Sequence, residues 1–418
     1  MGETDFTGAG ATDSVHLPRS VMPQQIRTSD LLTSHPQLLE WSIMPPRLEY
    51  SSVQHELSVM RSAATVGDMS LLIKYEIKGD DAARFVDMLV TKDTSSLEPG
   101  EITFSPWCND EGHLINDGLI FRVSEDTYRI SSDWCIEWFR HVAERVGGDV
   151  DVIDVSTDWG ILALQGPRST EVLERATKSD WGDLSFSRRV QTEIAGAVVD
   201  LARQGFTGEV GYEIWVQRGD GPRVLDAVLE AGDGLGLEPA GILTADVARV
   251  EAGLALPVSE YSPVGPDDHF DFMRTPEYRT SVLVPYSRFV DLDKPDFIGR
   301  DALLEEQRSG VPSEQLVGLR LDWRALSQLF EEKGQPAAIR AEVLRTPMAV
   351  QVEGARVGRA NSVTWSPTIE QLIGFGVIAR EHSEIGTQLA VAWERDGADG
   401  LVPATVVEIP FIEVRRAD

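Results

Sequence analysis

The sequence predicts an α+β fold followed by a separate C-terminal β domain. Segments in which apolar and polar residues alternate, as in strands, interleave with segments of helical periodicity, and short turns join several neighbouring strands. Hairpins mixed with helices favour α+β over a regular parallel sheet. The 418 residues suffice for two or three domains.

The first part of the chain, residues 1–35, is rich in Thr, Ser, Gly and Asp without periodicity, which predicts a flexible arm. A helix is predicted from Glu56 to Val66 and a strand from Leu71 to Ile77. After a Lys-Gly turn, Asp80 or Asp81 opens the next helix.

The middle of the chain alternates strands and helices. The stretches EITFSPWCND, GHLINDGLIFRV and DTYRISSD predict a meander, and a helix follows near Trp134 to Arg145. The strand GILALQGP precedes a helix capped around Ser169. Two further strands, TEIAGAVVDLARQ and GYEIWVQ, flank the segment GFTGEV.

The C-terminal part, from Gln315 onward, has a different pattern. Stretches such as EQLVGLRLDW, MAVQVEGARVGRANSVTW, IGFGVIARE and LVPATVVEIPF are separated by turns, and GADGL is predicted as a surface loop. A β domain of about a hundred residues is therefore predicted.

Composition excludes several classes of function. The 38 Lys and Arg residues against 68 Asp and Glu give a net charge of −30, and such a field repels phosphate backbones, so nucleic acid is not an expected partner. Two cysteines, Cys108 and Cys135, give neither a disulfide framework nor a zinc-finger spacing. The sequence has no signal-peptide pattern and no apolar stretch of membrane-spanning length. A cytoplasmic protein is predicted, and a homo-oligomer is left open.

The stretch GHLINDGLIF places Asn116 beside Asp117 among alternating apolar residues. Adjacent residues on one strand face opposite sides, so one of the two is expected in any given cleft. Local sequence alone favours a hairpin turn instead, because Asn, Asp and Gly are turn residues.

Common catalytic motifs are missing. The sequence contains no GxxxxGK[ST] phosphate loop, no dinucleotide-binding fingerprint, no HExxH site and no GxSxG elbow. The seven histidines are scattered, so no metal site is predicted, and His113 is interpreted as a strand residue that binds through ordinary hydrogen bonds.

Five motifs occur in order across residues 109–303, and together they resemble the aminomethyltransferase family, whose founding member is the T-protein of glycine cleavage. They are NDEGHLIND (109–117), LALQGP (162–167), GFTGEVGYE (205–213), RVEAG (249–253) and DFIGRDAL (296–303), and SVTWSP (362–367) resembles a segment of the family's terminal barrel.

The resemblance implies a three-domain clover-leaf of two intertwined α+β lobes and a C-terminal β barrel around a folate channel, with tetrahydrofolate as cofactor. The implied domains are the arm 1–35, a folate-binding region 36–310 and a barrel 311–418. The resemblance also implies that Glu209 holds the pterin ring. A carboxylate suits this role because it can accept two parallel hydrogen bonds from the N–H edge of the ring.

Three positions depart from the aminomethyltransferase pattern. Asn116 stands where the family has a carboxylate, Leu71 where many relatives have His, and Ala245 where they usually have Arg. An Asn cannot carry a proton or stabilise an iminium-like species by charge. The sequence therefore resembles the demethylase branch, which passes an intact methyl group to tetrahydrofolate.

The predicted function is a tetrahydrofolate-dependent demethylase of a small methoxylated, aromatic substrate that yields 5-methyltetrahydrofolate. The alternatives are a methylsulfonium demethylase of the dimethylsulfoniopropionate type and the aminomethyltransferase of glycine cleavage. Asn116, Asp117 and Tyr212 are the predicted catalytic residues. Glu209, Phe104, Asn116, Arg249 and Trp365 are predicted to bind the cofactor, with Arg249 anchoring a carboxylate or pairing with Glu251. An ether oxygen also needs a proton donor as it leaves, for which the candidates are Tyr212, Tyr261, Tyr286 and His269.

Overall fold

Two mainly antiparallel sheets and a closed barrel form the protein, whose computed structural model describes residues 42–44, 47–256, 259–261, 280–310, 312–334, 342–395 and 398–416. The helices are α1 (Val53–Ser62), α2 (Ala82–Leu89), α3 (Ile136–Val146), α4 (Ser169–Thr177), α5 (Gly221–Ala231), α6 (Ile242–Glu251), α7 (Leu283–Tyr286), α8 (Arg300–Ser309) and α9 (Trp323–Glu332).

The strands of the N-terminal region are β1 (Ala64–Asp68), β2 (Ile73–Lys78), β3 (Ile102–Cys108), β4 (Leu114–Arg122), β5 (Thr127–Ser132), β6 (Asp151–Asp154), β7 (Trp159–Gln165), β8 (Arg189–Ile194), β9 (Ala197–Ala202), β10 (Gly211–Gln217) and β11 (Leu237–Pro239). The strands that follow are β12 (Glu314–Leu321), β13 (Met348–Val352), β14 (Ala355–Ser366), β15 (Gln371–Ala379), β16 (Gln388–Arg395) and β17 (Ala398–Val407).

The two sheets share the chain in an interlocked order. One sheet has the order β11-β1-β7-β10-β9-β8, and the other has the order β3-β4-β5-β2-β6. The chain therefore leaves the first sheet after β1, builds the whole second sheet, and returns at β7. The β1–β11 pair is parallel, and the other pairs in these sheets are antiparallel.

The C-terminal barrel closes in the order β12-β15-β14-β13-β16-β17, with β17 returning to pair with β12. Its interior is apolar and includes the buried Trp393 and Leu319. The helix α9 stands between β12 and β13. Asp322 caps its first turn by accepting hydrogen bonds from the backbone N–H groups of Arg324 (2.8 Å) and Ala325 (3.1 Å). The predicted α+β class with two intertwined lobes and a barrel is confirmed.

Several predicted element boundaries are shifted. The helix expected from Glu56 to Val66 ends at Ser62, and Val66 belongs to β1, where its β-branched side chain is buried in the first sheet. The predicted surface loop GADGL is mostly strand, since β17 begins at Ala398 and pairs with β16. The arm 1–35 lies outside the described residues, and the predicted boundary at 310/311 stays a prediction.

Candidate functional site

A cavity of about 1460 Å³ lies among the two sheets, α6 and the barrel. Its walls include Phe104 from β3, Asn116 and Asp117 from β4, Glu213 from β10 and Arg249 from α6. The predicted site residues from distant parts of the sequence therefore converge on one space, although not all of them do.

Asp117 is the centre of a hydrogen-bonded cluster on the cavity wall. Its Oδ2 atom accepts hydrogen bonds from the hydroxyl groups of Tyr261 (2.6 Å) and Tyr286 (2.7 Å). Burial raises the pKa of Asp117 to about 6, and the two tyrosine hydroxyls limit that rise. Near neutral pH the group is thus an ionised carboxylate that gains a proton only slightly below neutrality.

The two tyrosines differ in position. Tyr286 lines the cavity, and its hydroxyl also lies 3.2 Å from the carbonyl oxygen of Ala255. Tyr261 is buried, and its hydroxyl lies 3.4 Å from Oδ1 of Asn116. Burial and the Asp117 charge raise the pKa of both phenols well above the usual value, so both are protonated donors.

Asn116 is held from two sides. Its amide nitrogen donates to Sγ of Cys135 (3.2 Å), and its Oδ1 accepts from the backbone N–H of Asp117 (2.9 Å). The side chain is 1% exposed. Its polar groups are therefore oriented by the protein before any ligand enters.

The Asn-Asp pair lies in the middle of β4, so the hairpin-turn interpretation is wrong. The expectation that only one of the two faces the cleft also fails, because both line the cavity. The β3–β4 register shifts at Trp107 and Cys108, and Trp107 is the partner of Asn116. Such irregularities twist a strand and re-aim its side chains.

The predicted pterin ligand Glu209 does not line the cavity. It is buried and pairs with Arg61 (3.2 Å), while its Oε2 lies 3.9 Å from Arg415 and has no hydrogen-bond partner among the described residues. Gly208, just before it, has a φ of 88°, a left-handed conformation that favours glycine and turns this loop.

Glu213, four residues later, does line the cavity, and the sequence analysis missed it. It is 4% exposed, and one carboxylate oxygen accepts a hydrogen bond from Nε1 of Trp215 (3.0 Å). Burial raises the pKa of Glu213 to about 7, against the effect of that hydrogen bond. A carboxyl group buried in an otherwise apolar strand is costly unless a ligand uses it.

Two of the other predicted residues lie at the cavity. Phe104 lines it, with its ring centroid 4.8 Å from that of Phe289 and 5.6 Å from that of Tyr286. Arg249 also lines it, but its partners are Asp246 (3.0 Å) and Glu260 (3.1 Å), not Glu251. Glu251 pairs instead with Arg61 at 2.6 Å.

Two further predicted residues, Tyr212 and Trp365, do not line the cavity. Tyr212 lies in the core of the first sheet, with its hydroxyl 2.9 Å from that of Thr170. Trp365 packs against Trp323 beside the barrel core, at a centroid distance of 5.6 Å. His269 lies outside the described residues.

The positions that depart from the family pattern share one location. Leu71 and Ala245 line the same cavity as Asn116. Asp133 lines it too, and burial followed by the Asp117 charge raises the pKa of Asp133 to about 6. The cavity thus lacks an imidazole and a guanidinium at two positions where they are expected in aminomethyltransferases.

Residues 27–265 match the GCVT N-terminal domain, and residues 315–413 match the glycine cleavage T-protein C-terminal barrel domain. The chain belongs to the glycine-cleavage T-protein family. The aminomethyltransferase of Symbiobacterium thermophilum is 32% identical over 375 residues, covering 87% of this chain and 90% of that protein. The aminomethyltransferase of Bacillus subtilis is 30% identical over 374 residues, covering 87% and 92%.

A solved T-protein-family structure has the same fold. The glycine cleavage system aminomethyltransferase T from Bartonella henselae superposes with a TM-score of 0.69 at 23% identity, covering 88% of this chain and 91% of that one. The family consists of tetrahydrofolate-dependent enzymes that act in one-carbon metabolism, so tetrahydrofolate is the cofactor.

The cavity of this T-protein-family chain fits that cofactor. A pterin presents adjacent N–H donors, for which the buried carboxyl group of Glu213 is a matching acceptor, and the aromatic ring of Phe104 is part of the cavity wall. Within the described ranges, no group of three or more His, Cys, Asp or Glu side chains is arranged to hold a metal ion. No helix among the described residues is long and apolar enough to cross a bilayer.

Proposed function

We propose that this protein is a tetrahydrofolate-dependent demethylase that removes the methyl group of a small methoxylated aromatic compound and forms 5-methyltetrahydrofolate. The observation that carries the proposal is the cluster of Asp117 with the hydroxyls of Tyr261 and Tyr286, next to a neutral Asn116. A proton acceptor and a proton donor in contact are what an ether cleavage requires.

Glu213, Asn116 and Phe104 would hold the cofactor. Glu213 would accept hydrogen bonds from the pterin N–H edge, Asn116 would offer neutral hydrogen bonds, and Phe104 would contact the ring. The cofactor supplies N5 as the nucleophile that takes the methyl group. A charge-neutral Asn leaves that nitrogen's lone pair unprotonated.

The proton steps belong to Asp117 and Tyr286. Transfer of the methyl carbon from the ether oxygen to the cofactor nitrogen would release one proton at that nitrogen and require one at the leaving oxygen. Ionised Asp117 accepts the first proton, and the cavity-lining Tyr286 donates the second. The 2.7 Å hydrogen bond between them then lets Asp117 return its proton to Tyr286, so no net proton is released. Tyr261 holds the Asp117 carboxylate in position through its own hydrogen bond of 2.6 Å.

The aromatic surroundings support an aromatic donor. Phe104, Tyr286 and Phe289 line the cavity and form edge-to-face contacts with one another. Such rings bind a flat ligand at little entropic cost, and ordering two reactants can contribute on the order of 7–11 kcal/mol.

The named relatives favour a second candidate, aminomethyl transfer, because those proteins are called aminomethyltransferases. Asn116, Leu71 and Ala245 weigh against it, since all three line the cavity and none can carry a charge. A methylsulfonium donor is the other alternative. It leaves as a neutral sulfide and needs the base Asp117 but no donor.

Mass spectrometry of tetrahydrofolate after incubation with methoxybenzoates, methylsulfonium acids and methylated amines tests the proposal. We expect 5-methyltetrahydrofolate with methoxybenzoates, together with the free phenol. Product only with a sulfonium acid would identify the sulfonium alternative. Formation of the methylene form alone, or unchanged tetrahydrofolate with every donor, would refute demethylation.

A further inference from the structure

The short segment 259–261 connects the barrel domain to Asp117, the base of the proposed function. Its last residue, Tyr261, is buried and donates a hydrogen bond to Oδ2 of Asp117 at 2.6 Å. The two residues before it, Ser259 and Glu260, are polar and are also buried. Buried polar groups are held by hydrogen bonds, so the partners of these two residues also determine where the Tyr261 hydroxyl lies.

Three residues of the barrel domain donate hydrogen bonds to this segment. The guanidinium group of Arg345, which precedes β13, donates to the hydroxyl of Ser259. On β14, the side-chain amide of Asn361 donates to the carbonyl oxygen of Ser259. The next residue, Ser362, donates from its hydroxyl to the carboxylate of Glu260. The segment is therefore tied to the barrel domain at two successive residues.

The backbone of β14 is distorted at the point where Asn361 and Ser362 reach the segment. Adjacent residues of a regular strand face opposite sides, yet both of these side chains bind the same short segment. The register of β14 against β15 shifts between Asn361 and Thr364, and Ser362 has a φ of 48°, a left-handed conformation that is unfavourable for a residue with a Cβ atom. Surrounding contacts must impose such a conformation, and it is common at functional sites.

The Ser362 hydroxyl also joins the segment to helix α6. It accepts a hydrogen bond from Nη2 of Arg249 (2.7 Å) while it donates to Glu260, and Arg249 contacts Glu260 directly at 3.1 Å. All three side chains are buried. Hydrogen bonds in such a network are strong because no water competes for them, so the network fixes Glu260 and, with it, the neighbouring Tyr261.

We propose that Ser362 is a positioning residue for methyl transfer, which fixes Glu260 and thereby keeps the Tyr261 hydroxyl on Asp117. The inference rests on the proposed function, in which ionised Asp117 accepts the proton released at the cofactor nitrogen. Ser362 does not line the cavity, so it acts on the reaction only through Tyr261 and Asp117. A residue of the barrel domain thus helps to determine how strongly a carboxylate on β4 holds its proton.

The groups that influence the charge of Asp117 do not include a charge on Ser362. They come from the segment, from α7 and from the end of β5, and they are Tyr261, Glu260, Tyr286 and Asp133. Burial raises the pKa of Asp117, the two tyrosine hydroxyls lower it, and the Glu260 charge raises it. Replacing Ser362 by Ala removes none of these charges, so it changes this pKa through the hydrogen bond from Tyr261.

The test uses the full chain labelled with 13C at the Cζ atom of tyrosine, and it requires neither a methyl donor nor tetrahydrofolate. The sequence has seven tyrosines, and comparison with Tyr286→Phe identifies the Tyr286 signal. The Tyr286 hydroxyl donates to Asp117 at 2.7 Å, so this signal follows the ionisation of that carboxyl group as the pH is changed. Titrations compare the unaltered protein with Ser362→Ala and with Ser362→Gly, in which the left-handed backbone is unstrained.

The matched control is Ser366→Ala, on the same strand. The Ser366 hydroxyl is also buried and also donates to a buried carboxylate, that of Glu251 (2.6 Å), which pairs with Arg61 (2.6 Å). Arg61 in turn contacts Glu209, so this network leads away from the segment 259–261. Circular dichroism and thermal melting check that each variant is folded.

We expect the Tyr286 signal of the unaltered protein to change with a midpoint at about pH 6. In both Ser362 variants the midpoint should rise by about half a pKa unit, because the hydrogen bonds to Ser259 remain and the Tyr261 hydrogen bond is loosened, not lost. At about pH 6 the ionised fraction of Asp117 then falls roughly twofold, and the acid limb of the methyl-transfer rate should move with it. Ser366→Ala should keep the original midpoint.

A double-mutant cycle shows whether Ser362 acts through Tyr261. In Tyr261→Phe the midpoint of the Tyr286 signal is already raised, because one hydrogen bond to Asp117 is gone. Adding Ser362→Ala to Tyr261→Phe should raise it no further, since the bond that Ser362 positions no longer exists. A contribution of Ser362 to folding alone would not produce this dependence.

Three results would overturn the inference. They are an unmoved midpoint in both Ser362 variants, an equal rise in Ser366→Ala, and a full further rise when Ser362→Ala is added to Tyr261→Phe. Methyl-transfer assays with methoxybenzoates separate this inference from the proposed function. Midpoints that move as expected without methyl transfer from any donor would refute the proposed function and leave the hold of Ser362 on Asp117 standing. Methyl transfer with unmoved midpoints would refute the inference alone.

Discussion

Removing the Tyr261 hydroxyl tests whether the two tyrosines keep Asp117 ionised. Both hydroxyls donate to the same oxygen of Asp117, at 2.6 and 2.7 Å, and they oppose the rise in its pKa that burial causes. Tyr261→Phe removes one of these hydrogen bonds and keeps the buried ring. Tyr261 does not line the cavity, so the substitution leaves the proposed proton donor, Tyr286, in place.

The size of the effect follows from the hydrogen bond lost. A hydrogen bond to a charged group contributes about 1.5 kcal/mol, which corresponds to about one pKa unit. The pKa of Asp117 should then rise from about 6 toward neutrality. At about pH 6 the ionised fraction falls from about one half to about one tenth, a loss of about fivefold in rate. At about pH 9 both proteins are fully ionised, and the rates should agree.

The assay is the initial rate of 5-methyltetrahydrofolate formation across the pH range with the best donor. Tyr212→Phe is the matched control, because that hydroxyl is also buried but contacts Thr170 in the core of the first sheet. The acid limb should move to higher pH in Tyr261→Phe only. An unmoved limb, or the same displacement in Tyr212→Phe, would refute the argument.

Three further substitutions separate the roles of the cavity residues. Tyr286→Phe should lower the high-pH rate with a methoxylated donor by roughly a hundredfold, and steady-state rates should show no comparable loss with a sulfonium donor; equal losses would contradict its role as donor. Asn116→Asp should leave the circular dichroism spectrum unchanged and depress methyl transfer, because a second carboxylate beside Asp117 raises the pKa of both; a rate equal to or above the original would contradict this. Glu213→Gln should stabilise the fold, because the pKa of Glu213 is raised from 4.5 to about 7 and folding therefore loses stability as pH rises through that window. Above about pH 7 the free energy of unfolding should rise by about 3 kcal/mol, and in denaturant titrations this difference should vanish below about pH 4.5. The variant should also bind tetrahydrofolate more weakly. A variant that is no more stable, or that binds tetrahydrofolate equally well, would contradict the role assigned to Glu213.

The strand pattern of the sequence was sufficient to predict the class of fold, since alternation identifies a strand wherever one face is buried. It could not predict how strands combine. The return of β7 to the sheet of β1 depends on pairing between residues about a hundred positions apart, such as Val66 with Leu164. The helix ending at Ser62 was extended too far for the same reason, because Val66 fits either periodicity until its partners are known.

The missed residue Glu213 did have a signal in the sequence. It is the single acidic residue in the apolar strand GYEIWVQ, and a lone carboxyl at such a position is costly without a function. The period of two also places Tyr212 and Glu213 on opposite faces, so at most one of the two was expected at the cavity.

The partner of Arg249 was predictable as well. Residues two positions apart on a helix do not face each other, which excludes Glu251, whereas Asp246, three positions before, lies on the same face. Its other contacts could not be foreseen, because Glu260 and Ser362 reach it from a loop and from the barrel.

The C-terminal tail, which backbone hydrogen bonds tie to Glu251 and Gly208, determines how the protein can be handled. Its last described residue, Arg416, lines the cavity, so an affinity tag or fluorescent protein fused there would add bulk and charge beside the cavity. Weaker ligand binding caused by such a fusion would then be mistaken for a defect of the protein itself. A cleavable tag at the opposite terminus, or scarless removal, would keep titrations comparable between preparations.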